Sequence, residues 1–317
     1  MPFVIALVAA AAATPLIAAV GVRAGLVDRP GELKIHLRPI PVTGGIAVAA
    51  AVVLSSLFVG GMTLGVLAAV VVALGLGVVD DARPLPAWIR VAGQALAGCL
   101  LVASGLSIEP FEIAGQVVLV VLVVACCNAT NMADGQDGLA TGVGAIAALG
   151  IATVSARASL PASLPLATAG ALLGFLAWNR PPARVFLGDG GAYGVGVLLA
   201  ASAAQASADG WTGLLAAGAC LGVFAYELCA SILRRARSGR SPVSGDRDHL
   251  YDRLAHALGS RPRSTAVMWG LGVVSAAIGV SIGRLGAVLG AWLVAATLVI
   301  TSIAETRFLP MTSTKEV

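Results

Sequence analysis

Long apolar segments alternate with short polar loops along most of this chain, and this alternation constrains its fold more than any other feature. Of the 317 residues, 58% are hydrophobic and only 11% are charged. A soluble domain of average composition is about 25% charged, whereas a helix that crosses a bilayer needs roughly 17 to 25 mostly apolar residues. The sequence therefore predicts an all-α polytopic membrane protein with about eleven transmembrane helices.

The predicted spans leave only short connections, so we expect a single integral membrane domain over residues 1–317. The spans are residues 2–22, 43–60, 62–79, 89–106, 113–130, 138–155, 163–179, 190–207, 211–233, 264–282 and 285–304. No basic segment precedes the first apolar run, which favours a retained helix over a cleaved signal peptide. The five cysteines lie inside apolar segments without metal-type spacing, so we expect them to pack as small hydrophobic side chains.

The basic residues predict the orientation of the helices in the membrane. If the N-terminus is outside, 18 of the 20 Lys and Arg residues lie on the cytoplasmic side, and the two others are Arg157 and Arg284. Cytoplasmic loops of membrane proteins carry the excess of Lys and Arg. The N-terminus is therefore predicted outside and the C-terminus in the cytoplasm. Residues 234–263 form a large cytoplasmic loop that is expected to contribute to the active site.

Three polar clusters stand where apolar runs reach the predicted cytoplasmic face. Asp80-Asp81 ends the third span, and adjacent carboxylates at a membrane interface are costly unless they are paired or bound to a metal. Residues 128–139 hold two Asn and two Asp at every third position, which share one stripe if the fifth helix continues. Residues 186–191 read Phe-Leu-Gly-Asp-Gly-Gly, and their glycines expose backbone N–H groups beside a helix start. We expect the three clusters to meet in one phosphate and metal site.

The oxygen donors of these clusters indicate the kind of metal. Carboxylates and amides suit Mg²⁺, which takes one or two carboxylates and leaves room for water and phosphate. A carboxylate at Asp189, beside a helix start that favours anions, would repel phosphate unless a metal lay between them. Asp189 is therefore the first candidate ligand, and an N-cap role is an alternative that does not exclude it. Mg²⁺ is the predicted cofactor, with Mn²⁺ as the alternative.

Two cytoplasmic loops supply candidate cationic groups. Residues 28–45 hold Lys34 and His36 on a path fixed by prolines and glycines. These cations would neutralise phosphates, although a loop that only sets the topology is an equally good interpretation. In the large loop, His249 and Arg253 share one face with neighbouring polar residues if the segment is helical.

These motifs resemble those of the polyprenyl-phosphate N-acetylhexosamine-1-phosphate transferases. Five blocks match in order over nearly the whole chain: D-x-P…K-x-H…P-x-P…G-G at 28–45, D-D at 80–81, N-x-x-N-M-x-D-G-x-D-G-L at 128–139, F-L-G-D at 186–189 and H-L-Y-D-R-L at 249–254. The third and fourth blocks together are the most specific. The family includes bacterial enzymes that start O-antigen, enterobacterial common antigen and teichoic acid linkage units, and the phospho-N-acetylmuramoyl-pentapeptide transferase.

The resemblance implies a Mg²⁺-dependent reaction at a bacterial inner membrane, with the active site facing the cytoplasm. A phosphate oxygen of undecaprenyl phosphate attacks the β-phosphorus of a UDP-N-acetylhexosamine, and UMP leaves. The lipid-linked product starts a surface polysaccharide or cell-wall polymer. The expected partners are this lipid, the nucleotide sugar and the membrane. No nucleic-acid partner is expected, and a homodimer is compatible with the resemblance.

The resemblance also implies catalytic and metal-binding roles. Asp80 would deprotonate the lipid phosphate, although an older proposal for the family makes an Asp a nucleophile. Asp81 would assist metal or phosphate binding, and Asp189 would be the main Mg²⁺ ligand. His249 is counted with Asp80 and Asp81 among the catalytic residues.

A larger set of residues is expected to bind the substrates. The predicted substrate-binding residues are Lys34, His36, Arg90, Asn131, Asp134, Asp137, Asn179, Phe186 and Arg253. Among them, Asp137, Asn179 and Phe186 would line the uridine pocket, whereas Asn131 and Asp134 would lie near the diphosphate. The basic members would contact phosphate or sugar.

Several alternatives stay open beside this interpretation. The phospho-N-acetylmuramoyl-pentapeptide branch has a run of histidines where this chain reads His-Leu-Tyr-Asp, which favours the branch that primes surface polysaccharides. The donor sugar is open between GlcNAc and a deoxy-amino sugar such as QuiNAc or FucNAc. From another class, an ion-coupled secondary transporter would place its acids near the bilayer midplane, whereas these acids lie at helix ends. A CDP-alcohol phosphatidyltransferase is disfavoured because its further spaced Asp pattern is absent.

Overall fold

The computed structural model describes residues 1–30, 38–239 and 248–285. Within these ranges the chain forms twelve α-helices and one pair of short antiparallel strands. The helices are α1 (Pro2–Arg23), α2 (Gly44–Val59), α3 (Leu64–Ala82), α4 (Ala87–Ala103), α5 (Ala114–Ala133), α6 (Leu139–Arg157), α7 (Ser163–Asn179), α8 (Gly188–Ala206), α9 (Gly210–Cys220), α10 (Gly222–Arg237), α11 (Leu250–Leu258) and α12 (Arg261–Leu285). The strands are β1 (Val27–Asp28) and β2 (Ile40–Pro41).

The helices confirm an all-α protein built to cross a membrane several times. Five of the described helices are long and apolar enough to span a bilayer, and the count rises to six if one bent pair forms a single span. Helices α2, α4 and α7 are apolar but have only 16 or 17 residues. Nine of the eleven predicted spans each coincide with one described helix, the ninth falls on the two helices α9 and α10, and residues 286–304 of the eleventh lie outside the described part of the chain. Eleven spans and their orientation stay predictions.

Helix α8 lies at the centre of the bundle. Nearly all of its residues are buried, and most of them are Gly or Ala. It contacts α2, α3, α5, α6, α7 and α9. Small side chains let helix backbones approach closely, which drives helix association where lipid is as apolar as the protein. The Gly and Ala bias of the sequence therefore builds the helix around which the others assemble.

Two glycine contacts bring α8 within backbone distance of α2 and α3. A Cβ atom added to Gly45 would overlap the backbone of Gly191, and one added to Gly77 would overlap the backbone of Asp189 and Gly190. Neither crossing has room for a side chain. These contacts fix the position of the first turn of α8 relative to the end of α3.

The ninth predicted span is wrong as a single straight helix. The chain bends by 72° where α9 meets α10, so residues 211–233 do not form one rod. Helix α10 places Glu227, Ser231 and Arg235 on one buried face at four-residue spacing. A polar face of this kind is costly in lipid. The bend lets α10 pack this polar face against protein, and this accounts for the break between the two helices.

Replacing Gly77 by Ala should destabilise the bundle, because the added methyl group overlaps the first turn of α8. Overpacking of this kind costs about 1–3 kcal/mol, so we expect a clear fall in the melting temperature of the protein in detergent. Gly75 is the matched control on the same helix, since its Cβ position is open. Gly75→Ala should leave the melting temperature unchanged or slightly higher. Equal effects of the two substitutions would contradict the close approach of α3 and α8.

Candidate active site

A cavity of about 850 Å³ opens where several helix ends come together. Residues from the end of α3, the α5–α6 connection, the end of α7 and the starts of α8 and α12 line it, together with parts of the β1–β2 pair and α11. Its acidic members are Asp28, Asp81, Asp134, Asp137, Asp189 and Asp252. This volume is typical of small-molecule sites. So many carboxylates around one space indicate a ligand that brings or shares cations.

Asp81 is held by the first turn of α8. Its Oδ1 accepts a hydrogen bond from the backbone N–H of Asp189 at 3.0 Å, and its Oδ2 accepts one from Gly190 at 3.2 Å. The first N–H groups of a helix have no partner inside the helix, and the helix dipole favours an anion there. The sequence predicts that these groups favour a ligand anion, but the carboxylate of Asp81 occupies two of them. Gly188 is required beside them, because its φ is +77° and a Cβ atom would crowd Asp81.

Asn131, Asp134 and Asp189 form an acidic corner with Asp81. The amide of Asn131 donates a short hydrogen bond to Oδ1 of Asp189. Helix α5 ends at Ala133, so the expected continuous polar stripe does not form, and the acids after it lie on a turn. Burial and the nearby carboxylates of Asp189 and Asp81 hold the pKa of Asp134 well above its usual range. This corner therefore favours a bound proton or cation.

Asp137 and Asn179 line another part of the cavity and are held by local hydrogen bonds. Oδ2 of Asp137 accepts from the backbone N–H of Ala183 at 2.9 Å. The buried amide of Asn179 donates to the carbonyl of Val185 at 3.0 Å, and its own carbonyl accepts from the hydroxyl of Thr141 at 2.6 Å. Both side chains are therefore fixed by the protein before a ligand binds.

Asp80 has a different environment from the adjacent Asp81. Its Oδ1 accepts from the backbone N–H of Leu85 at 2.7 Å, and its Oδ2 accepts from the hydroxyl of Tyr193 at 2.9 Å. Nη1 of Arg90 lies 3.8 Å from the same Oδ2. Asp80 is buried and does not line the cavity described above. Neighbouring helical residues point about 100° apart, so the two acids face different surroundings.

Helix α11 brings a further set of side chains to the cavity. The hydroxyl of Tyr251 donates to the carbonyl of Met132 at 3.1 Å, and its ring stacks on the imidazole of His249 with centroids 5.1 Å apart. His249 precedes the helix, so it does not share a helical face with Arg253; its Nδ1 lies 3.1 Å from Oε2 of buried Glu227. These contacts join α11 to both α5 and α10.

Comparisons with known proteins agree on the nature of the chain. The model of glycosyl transferase family 4 matches residues 63–207. A decaprenyl-phosphate N-acetylglucosaminephosphotransferase of Mycolicibacterium smegmatis is 33% identical over 306 residues, which covers 81% of this chain and 75% of the relative. The chain belongs to glycosyl transferase family 4. Within it, the chain belongs with the polyprenyl-phosphate N-acetylhexosamine-1-phosphate transferases.

Other members of the family carry different names. A probable undecaprenyl-phosphate N-acetylglucosaminyl 1-phosphate transferase of Bacillus subtilis is 27% identical over 292 residues, covering 86% of this chain and 81% of the relative. A phospho-N-acetylmuramoyl-pentapeptide-transferase of Shouchella clausii is 31% identical over 278 residues, covering 77% and 83%. The region that defines the family runs from α3 to α8 and thus contains the acidic corner.

The acidic corner of this family member fits a hard cation that shares its ligands with a substrate. Among the described residues, no group of three His, Cys, Asp or Glu side chains is arranged to hold a metal ion by itself. Mg²⁺, however, takes one or two protein carboxylates and completes its shell with water and substrate phosphates. Asp189 and Asp81 offer oxygen donors of this kind, and the pKa of Asp134 beside them is raised first by burial and then by these two carboxylates.

The structure brings most of the predicted site residues to the cavity and leaves others outside its lining. Those that line it are Asp81, Asp134, Asp137, Asn179, Phe186 and Asp189. Those outside the lining are Asp80, Arg90, Asn131, His249 and Arg253. Arg253 donates instead to both carboxylate oxygens of Asp248, at 2.9 and 2.7 Å. Lys34 and His36 lie outside the described residues.

Some residues that hold the site were not predicted. Gln136 donates to the hydroxyl of Thr265 at 2.6 Å and so ties the α5–α6 connection to α12. Thr141 supports Asn179, and Tyr193 supports Asp80. Threonine and glutamine gave no usable signal, since both occur often in packed helices. Tyr193 did give one, because it follows the predicted metal ligand by four positions in a helix of small residues.

The raised pKa of Asp252 predicts a pH dependence of folding stability. Burial raises this pKa from 3.8 to about 6, although His249 and Arg261 oppose the shift. Between these values the folded protein keeps a proton that the unfolded chain has released, so stability falls as pH rises through this window. Asp252→Asn should make this fall smaller and raise the melting temperature at about pH 7.5 relative to the wild type, whereas the other buried carboxylates keep their share of the pH dependence.

The matched control is the exposed Asp209, which lies between α8 and α9. Asp209→Asn should keep the wild-type dependence of melting temperature on pH, because its carboxyl group is already in contact with water. If the wild type and Asp252→Asn showed the same dependence between about pH 4 and pH 7.5, the burial of the Asp252 carboxyl group would be contradicted.

Proposed function

We propose that the protein transfers an N-acetylhexosamine 1-phosphate from a UDP-sugar to undecaprenyl phosphate. The hexosamine is GlcNAc or a deoxy-amino sugar, UMP is released, and the lipid-linked product starts a surface polysaccharide or cell-wall polymer. One observation carries this proposal: in a chain of this family, Asp81, Asp134 and Asp189 converge on the glycine-rich start of α8 at the wall of one cavity. This arrangement supports the binding of a diphosphate together with a cation.

The acidic corner supports phosphoryl transfer through positioning and charge. Reactions of this type need little covalent chemistry from the protein. Asp189 would hold Mg²⁺, which neutralises charge on the diphosphate when bound, and Mn²⁺ is the alternative ion. Asn131 orients Asp189, and two backbone N–H groups orient Asp81. Both carboxylates therefore have a defined direction in the free protein.

Asp81 is the acid of the adjacent pair that faces the substrates in this proposal. It lines the cavity, whereas Asp80 is occupied by Leu85, Tyr193 and Arg90. A proton on the lipid phosphate passes to Asp81, a phosphate oxygen bonds to the β-phosphorus, and the bond to UMP breaks. The family resemblance implies the base role for Asp80, but the lining of the cavity favours Asp81.

Asp137, Asn179 and Phe186 support a pocket for the uridine. An aromatic ring and fixed polar groups on a largely apolar wall are typical of small-molecule sites. The backbone N–H of Phe186 donates to the carbonyl of Pro41 at 2.9 Å, and its carbonyl accepts from Gly44 at 3.0 Å. The position of the ring is therefore set by the strand pair and the start of α2. This wall would bind the nucleoside while the acidic corner binds the diphosphate.

We place the cavity at the cytoplasmic face of a bacterial inner membrane. Helices α3, α5 and α7 end at the cavity, and α6 and α8 begin there, which is the pattern of a chain that crosses the membrane back and forth. The excess of Lys and Arg on this side supports its placement in the cytoplasm. A reporter fused after Val317 should accordingly show cytoplasmic activity. An external signal would reverse the orientation and place the donor site on the wrong side of the membrane.

Purified protein with undecaprenyl phosphate, Mg²⁺ and a panel of UDP-sugars should release UMP with at least one UDP-N-acetylhexosamine. The panel contains the UDP forms of GlcNAc, QuiNAc, FucNAc and MurNAc-pentapeptide, so the same assay identifies the donor. Failure of every donor would overturn the proposed function. Release with the MurNAc-pentapeptide donor alone would assign the protein to the peptidoglycan branch, to which one of the relatives belongs.

Two variants test the role of Asp189 in this assay, and the second is the control for the first. Asp189→Asn keeps the shape of the side chain but removes its charge, so UMP release should fall by at least about 100-fold. Asp209→Asn makes the same change at an exposed position beyond the opposite end of α8 and should keep wild-type activity. Removal of divalent cations with a chelator should abolish the wild-type activity, and readdition of Mg²⁺ should restore it.

A further inference from the structure

Tyr193 is a buried tyrosine in a helix composed mostly of small and aliphatic residues. It follows Asp189 by four positions, so the two side chains share one face of α8. Only 1% of its surface is exposed. A buried hydroxyl group needs a hydrogen-bond partner, and this one donates to Oδ2 of Asp80 at 2.9 Å. The helix that supplies Asp189 therefore also supplies a donor to the acid next to Asp81.

Asp80 uses both of its carboxylate oxygens in contacts with the protein. One oxygen accepts from the backbone N–H of Leu85 at 2.7 Å, and the other accepts from Tyr193 and lies 3.8 Å from Nη1 of Arg90. A buried carboxylate at the end of a membrane helix is costly unless its charge is compensated. Two hydrogen bonds and one cation provide that compensation against the nearby carboxylates of Asp81 and Asp189. Asp80 is thus arranged to remain in place and to hold other groups.

Arg90 is the group that Asp80 holds toward the acidic corner. Its side chain is 32% exposed, and its guanidinium is close enough to Asp189 for electrostatic attraction. A guanidinium has five N–H donors in a rigid plane, so the ion pair with Asp80 and the contact with the Tyr193 hydroxyl together restrict the direction of the remaining donors. Those donors match the oxygens of a phosphate group. Arg90 therefore presents a phosphate-binding edge whose orientation depends on Asp80.

We propose that Tyr193 is a positioning residue for phosphoryl transfer. It holds Asp80, and Asp80 holds Arg90 in the orientation that receives a substrate phosphate. This inference rests on the proposed function. Because the charge on the transferred phosphoryl group changes most in the transition state, a misplaced guanidinium should affect turnover more than substrate binding.

Tyr193→Phe tests the inference, since it removes one oxygen atom and keeps the ring in the core. A lost hydrogen bond to a charged group corresponds to a factor of about 10 to 100, so kcat for UMP release should fall by about tenfold or more. KM for the UDP-sugar and KM for the lipid, each measured with the other substrate in excess, should change by less than about threefold. A rise in only one KM, with kcat unchanged, would contradict the role proposed.

A double-mutant cycle separates positioning from a merely structural effect. If Tyr193 acts through Asp80 and Arg90, adding Tyr193→Phe to Arg90→Ala should lower kcat by less than about threefold more, because the positioned group is already absent. Independent, multiplicative effects of the two substitutions would overturn the proposal. The melting temperature of Tyr193→Phe should fall by only a few degrees, which keeps the variant folded in the assay.

Tyr226→Phe is the matched control, since it removes a tyrosine hydroxyl from α10, and it should keep the wild-type kcat. The outcomes also distinguish this inference from the proposed function. A wild-type protein that releases no UMP would overturn the proposed function and the inference with it. An active wild type with an equally active Tyr193→Phe would overturn the positioning role alone.

Discussion

The carboxylate of Asp81, bound to the first N–H groups of α8, is the interaction on which the rest of the site depends. It joins the end of α3 to the start of α8 at a crossing where Gly77, Gly188 and Gly190 leave no space for side chains. Unpaired N–H groups and an isolated carboxylate would both be costly inside a membrane bundle. Each satisfies the other here. The two N–H groups belong to Asp189 and to the next residue, Gly190, so the same hydrogen bonds fix the backbone position of the candidate metal ligand.

Fixing Asp81 does not neutralise the cavity. The pKa of Asp134 is raised by burial and by the carboxylates of Asp189 and Asp81, and the pKa of Asp252 rises to about 6. Carboxylates with raised pKa values lower folding stability at neutral pH, because the folded state must keep charges that are buried and, at Asp134, repelled by neighbouring carboxylates. Such strain is commonly retained where a ligand relieves it. Under the proposed function, a cation shared with a diphosphate would relieve it at the acidic corner, which would connect the instability of the free protein to its chemistry.

Much of the fold and of the site was predictable because apolar length and polar residues at helix ends are local properties of a sequence. The division between Asp80 and Asp81 was not predictable, since it depends on the rotation of α3 about its axis, which the glycine contacts with α8 determine. The bend between α9 and α10 was missed for a related reason. A hydropathy average over a whole span does not detect the break between the two helices. The polar face of α10 can be recognised as buried only when the helices that pack against it are known. Tyr193 was not predicted, because a single tyrosine in an apolar helix is interpreted as a packed core residue until the hydrogen-bond partner of its hydroxyl group is known.

The bend in turn explains how a helix outside the membrane spans becomes part of the cavity wall. Glu227 is fully buried on α10. If α9 and α10 formed one straight helix, its carboxylate would face lipid, which would be far more costly than its position beside the imidazole of His249. Its contact with His249 positions the start of α11, and the next aromatic ring, Tyr251, reaches the carbonyl of Met132 at the end of α5. The acidic corner is thus built by α3, α5 and α8, and the wall that carries Tyr251 and Asp252 is built by α11. Because separate elements supply them, the carboxylates of the acidic corner do not depend on the side chains of α11 for their positions.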